Sequence, residues 1–103
     1  MTTLKHRTLD GKGDYTFSLE YGGNGYRAYI VQMPSYGNRN SSLHVTHRLL
    51  GTDNRYYICW SSPLHSLEDA KKVISLWSET TQAYITTGRT IDAQIQLKEG
   101  KLI

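Results

Sequence analysis

Residues 15–33 read YTFSLEYGGNGYRAYIVQM, and this stretch decides the fold. Tyr15, Phe17 and Leu19 alternate with Thr16, Ser18 and Glu20. A period of two sends the first set to one face and the second to the other, as in a half-buried strand. Gly22-Gly23-Asn24-Gly25 comes next, and glycine and asparagine tolerate the positive φ that a tight reversal needs. A second strand then runs from Tyr26 to Met33 and stops at Pro34, which has no amide hydrogen with which to extend a ladder. The expectation is an antiparallel hairpin.

Working outward from it, residues 35–42 are rich in serine, asparagine and glycine and read as a loop. Leu43 to Leu49 reads as a third strand, with Leu43 and Val45 on one face and His44 and Thr46 on the other. After the turn Gly51-Thr52-Asp53-Asn54, Tyr56, Ile58 and Trp60 alternate with Tyr57 and Cys59 on a fourth strand. Ser66 opens a long helix: with Asp69 it resembles a capping box, in which side-chain oxygens satisfy free amides. Leu67, Ala70, Ile74, Trp77, Thr81 and Tyr84 then recur every three or four residues as one stripe. Gly88 is placed to close the helix in a left-handed cap. Alternation returns at Ile91, Ala93, Ile95 and Leu97, which reads as an edge strand, while the polar residues 1–13 read as a flexible lead-in. The expected fold is α+β: one domain spanning 1–103, an antiparallel four- to five-stranded meander sheet with one long helix packed on one face. Trp77, Tyr84, Phe17 and Ile30 are its expected core.

Composition narrows the function classes. A chain of 103 residues supports one core and is too short for two. Eight tyrosines, two tryptophans and a phenylalanine exclude a disordered chain, because burying them offsets the ordering entropy. No run of eighteen apolar residues occurs, so no helical membrane span and no membrane partner are expected. The opening residues MTTLKHRTLDGKGD lack the apolar core of a signal peptide, so a cytoplasmic location is expected. A single cysteine, Cys59, excludes an intramolecular disulfide. The net charge of +3 is unevenly spread. No acid lies between Glu20 and Asp53, while Arg27, Arg39 and Arg48 do, together with His44 and His47.

Three groups of residues carry possible chemistry. Cys59, next to the loop 60–65, offers a nucleophile if its thiolate is exposed, and a small buried hydrophobe if it is not. His44 and His47 are three apart, which on a strand puts them on opposite faces and argues against a metal pair; no metal site is expected. Arg27, Arg39, His44 and Arg48, interleaved with Tyr26, Tyr29 and Tyr36, form either a binding surface for an acidic partner or nucleic acid, or an ordinary solvated face. No glycine-rich loop opens a helix to cradle phosphate, and no G-x-S-x-G elbow is present.

Taken in order, YRAYIVQMP (26–34), LHVTHR (43–48), YYICW (56–60) and LEDAKKVISLWSETTQAYITTGR (67–89) form a recognisable series. With Trp77, Tyr84, Thr87 and Gly88 in the last segment, it resembles bacterial relatives of ubiquitin-conjugating enzymes over residues 26–90. The resemblance implies that strands lead through a histidine motif to a cysteine, then a loop and a helix. It implies that Cys59 accepts a ubiquitin-like or other acyl group as a thioester. His47 or His44 would hold the family's histidine position and shape the cysteine loop. An activating enzyme and a carried protein are the implied partners, and no cofactor is required. The opposing reading is a non-catalytic interaction module, an adaptor or inhibitor of phage or plasmid type, that binds a protein through the basic middle. A weak nucleic-acid binder using the Arg/Tyr region is the third.

Overall fold

The computed structural model describes residues 2–23, 25–60 and 63–95. Three consecutive strands, β1 (Thr2–Arg7), β2 (Asp14–Gly22) and β3 (Gly25–Gln32), pair antiparallel. A single helical turn, α1 (Leu43–Thr46), leads into two short strands, β4 (Arg48–Leu50) and β5 (Tyr56–Ile58). The long helix α2 (Leu67–Thr87) and a short one, α3 (Ile91–Ile95), follow. The fold is α+β, a five-stranded antiparallel sheet with α2 across one face. Its strand order is β1-β2-β3-β5-β4, so β5 inserts between β3 and β4 and the sheet departs from a simple meander. No described helix is long and apolar enough to cross a membrane.

The hairpin's alternation becomes the core. Tyr15, Phe17 and Leu19 are buried on the helix side, with Phe17 opposite Ile30 and Leu19 opposite Ala28. Trp77 of α2 presents its indole edge-on to Tyr15 and Phe17, with ring centroids 6.1 and 6.0 Å away; this is a favoured aromatic arrangement. Ala70, Val73, Ile74 and Tyr84 complete the buried stripe, Ile30 packs at its margin, and Leu67 at the start of the helix is exposed. Both ends of α2 follow their sequence signals. The Ser66 hydroxyl accepts from the Asp69 amide at 3.1 Å, and Gly88 takes φ of 82° while its amide donates to the Tyr84 carbonyl.

Three segments differ from their sequence pattern. The lead-in expected to be flexible forms β1 over Thr2–Arg7, pairing with Asp14–Leu19. It is anchored from the helix side, where the Glu79 carboxylate lies 2.7 Å from His6 Nε2 and accepts from the Leu9 amide at 3.1 Å. Leu43–Thr46, expected as a strand, is a helical turn. The Asn40 side chain accepts from the Ser42 amide, and both the amide and the hydroxyl of Thr46 donate to the Ser42 carbonyl. Such local side-chain bonds compete with a ladder. His47, in the left-handed region at φ 54°, ends the turn and delivers Arg48 into β4. Ile91–Ile95, expected as an edge strand, is α3: the Thr90 hydroxyl accepts from the Ala93 amide, and Ile91 is fully buried. Residues 96 and 97 of that expected strand lie outside the described residues.

The buried Trp77 Nε1–H donates to the Thr46 carbonyl at 3.0 Å. Trp77→Phe removes this donor, orphans a buried carbonyl and leaves a void. It is expected to cost about 2–4 kcal/mol, read as a lower midpoint in urea unfolding. Thr80→Ala, which deletes a hydroxyl bonded only within its own helix, is expected to cost less than half as much.

Candidate functional site

β3 and β5 pair at a single point, Tyr29 opposite Tyr57. β5 ends one residue later at Ile58, whereas β3 extends back to Gly25. β3 is next met at Leu64, whose carbonyl accepts from the Tyr26 amide at 2.8 Å. The strands therefore part, and the opening is a cleft of about 500 Å³. Gly25, Arg27, Tyr57, Cys59, Trp60 and Pro63 are among its walls; residues 61 and 62 lie outside the described residues. The Leu64 contact requires a glycine at 25. Its φ is 146°, and a Cβ there would stand 2.6 Å from the Leu64 carbonyl oxygen, inside van der Waals contact.

Strand parity aims the polar groups. Arg27, Tyr29 and Tyr57 project from the face opposite α2. The Arg27 guanidinium lies over the Tyr57 ring, 4.5 Å from its centroid, and Nη1 donates to the Tyr29 hydroxyl at 3.4 Å. Beside it Arg55 lies 4.0 Å over the Tyr29 ring and is held by two carboxylates, Glu20 at 2.5 and 3.0 Å and Asp53 at 2.6 Å. Hydrogen bonds from Arg55 hold both carboxyls below the usual carboxylate range. Arg27 makes no ion pair among the described residues. It is the cation of the cleft wall.

Cys59 is half-buried on that wall, on the same strand parity as Tyr57. Burial pushes its thiol up from the ordinary value, which disfavours the thiolate. His47 is its cross-strand neighbour: the Cys59 amide donates to the His47 carbonyl at 3.0 Å. The imidazole turns elsewhere. It is 5% exposed, and its Nε2 lies 2.8 Å from Asp92 Oδ1 on α3. Its Nδ1 has no partner, and no hydrogen bond joins ring and thiol among the described residues.

The other residues singled out from sequence are dispersed. Arg48 is buried on the helix side, 4.1 Å over the Tyr56 ring and 5.0 Å over Tyr36, donating to the Thr46 hydroxyl and the Ser41 carbonyl. Burial pushes the Tyr36 phenol up to about 12. Arg39 packs on Gly88 and donates to the Ile85 carbonyl near the end of α2, where a cation complements the free carbonyls. His44 is exposed on α1. Arg27 therefore stands apart from Arg39 and Arg48. Sequence reasoning missed Asp92 as the partner of His47, and Tyr57 and Trp60 as cleft walls. Only Tyr57 had a usable signal, its shared parity with Cys59. Among the described residues no three His, Cys, Asp or Glu side chains are placed to hold a metal ion. No family model, curated protein or solved structure matches the chain.

Two outcomes follow from this geometry. Gly25→Val is expected to push the Leu64 segment off β3, costing about 1–3 kcal/mol, and hydrogen exchange should show the Tyr26 amide losing protection first. Iodoacetamide should alkylate folded Cys59 with a pH profile displaced to the alkaline side of the same chain in denaturant, because burial favours the protonated thiol. A folded profile at or below the denatured one would contradict that environment.

Proposed function

We propose that this domain is a non-catalytic binding module that holds a short segment of a partner protein in the cleft between β3 and β5. The observation that carries this reading is the splay itself. It creates an open cleft of about 500 Å³ with aromatic walls from Tyr57 and Trp60 and an available cation. Clefts of that size are suited to an extended segment or small ligand, and this one offers polar as well as aromatic surface. Support for catalysis is weaker, because no base is hydrogen-bonded to the cleft thiol among the described residues and burial raises its pKa.

A second reading follows from Cys59 lying on the same wall. In a conjugating-enzyme-like domain its sulfur would attack the carbonyl of a carrier's thioester, and the carrier thiol would leave with the proton. A random peptide library displayed against the immobilised protein distinguishes the two. The binding reading expects enriched peptides whose affinity falls about tenfold, near 1.4 kcal/mol, in Tyr57→Ala and is unchanged in Cys59→Ser. A hydroxylamine-sensitive mass gain on Cys59 from acyl-thioester donors, without peptide enrichment, would favour the thioester reading instead.

A further inference from the structure

We propose that the group this cleft selects is a single carboxylate, borne by an extended peptide beside an aromatic or apolar side chain and held by Arg27. The inference rests on the binding-module reading and adds the chemistry of the ligand. Among the described arginines that project from the open face of the sheet, Arg7 is paired with Asp14 and Arg55 with Glu20 and Asp53. Arg27 faces the cleft with its fork committed to one long contact, 3.4 Å to a tyrosine hydroxyl. Its guanidinium is held over Tyr57 at 4.5 Å, so fewer rotamers are lost when an anion docks. The planar fork matches a carboxylate in two parallel hydrogen bonds.

The surroundings argue for one negative charge and against a polyanion. Among the described residues lining this cleft there is no second Lys or Arg and no acid. Arg27 also lines the adjoining hollow together with Glu20, its register partner on β2, and the cluster Glu20, Asp53 and Arg55 sums to one net negative charge there. A nucleic-acid strand would carry successive phosphates past these carboxylates, and Arg27 is the one Lys or Arg among the described residues lining the cleft, whereas strand binding depends on several such contacts. A peptide with one acidic side chain meets Arg27 and places its neighbour against Tyr57 and Trp60.

The test is a two-dimensional NMR titration of the intact chain with N-acetylphenylalanine and with its neutral amide, alongside inorganic phosphate and oligo(dT). The acid is expected to shift the amides of Gly25, Arg27 and Tyr57 and to bind about fivefold more tightly than the amide. Arg27→Ala should abolish that preference, and Arg27→Lys should restore part of it. Arg27 is exposed, so both variants are expected to keep the parent melting temperature. Equal binding of acid and amide, lost in Tyr57→Ala, would overturn the carboxylate inference while leaving the binding cleft intact. Shifts confined to other surfaces would overturn the inference, and the peptide selection would decide the cleft reading separately. Tighter, steeply salt-dependent binding of oligo(dT) through Arg27 would overturn it in favour of nucleic acid.

Discussion

The indole of Trp77 joins the two layers of the fold to its most irregular segment. Its edges meet Tyr15 and Phe17 of the central hairpin, and its N–H caps the Thr46 carbonyl. That carbonyl belongs to a single helical turn, which has no further turn to satisfy it. With the donor in place, the chain stops being helical at Thr46, swings through left-handed His47 and enters β4 at Arg48. The register of β4 on β5, Arg48 opposite Ile58, follows from that corner. A short β5 pinned on its outer side by β4 then meets β3 at Tyr29 and Tyr57 and parts from it afterwards. The buried hydrogen bond and the aromatic cluster around it thus connect to the cleft through β4 and β5.

The sheet divides the chain's basic middle into two environments. On the helix side Arg48 is sandwiched by Tyr36 and Tyr56, His47 is paired with Asp92, and Arg39 covers the end of α2. Each of these side chains meets backbone carbonyls, a hydroxyl, a carboxylate or an aromatic face, as buried or packed charge requires. On the open side Arg27 and Arg55 lie over Tyr57 and Tyr29, but only Arg55 is neutralised. A run of residues without acids therefore yields no continuous basic surface. Among the described residues the acid that meets a basic side chain of this run is Asp92, on His47 and forty-five positions away, which no local reading could assign.

Legibility in the sequence followed the reach of the forces involved. The hairpin and α2 were readable because alternation at Tyr15, Phe17 and Leu19, the stripe ending at Tyr84, and the caps Ser66 and Gly88 are all local signals. β1 was not, because TTLKHR has a single strongly apolar residue, Leu4, and is ordered by pairing with β2 and by Glu79 seventy or more positions away. Residues 43–46 and 91–95 show alternation that a helical spacing also satisfies, as with Ile91 and Ile95. Short apolar runs of this kind are ambiguous, and the hydroxyls of Thr46 and Thr90 decided them. The cleft was illegible for a further reason: it is a failure of pairing, set by how long β5 runs beside β3.

The same corner that connects to the cleft limits the chemistry of its cysteine. Activation of a thiol needs a base or a positive neighbour to lower its pKa, and the residue closest in register to Cys59 is His47. The left-handed backbone at His47 sends the imidazole towards α3, where Asp92 accepts from Nε2. Turning the ring to the thiol would break that hydrogen bond and leave Asp92 without its partner. It would also disturb the corner that aligns β4 with β5. The histidine can complete the fold or serve the cysteine, and the observed geometry commits it to the fold. On the binding reading, Arg27 and the rings of Tyr57 and Trp60 act on the ligand by attraction and orientation.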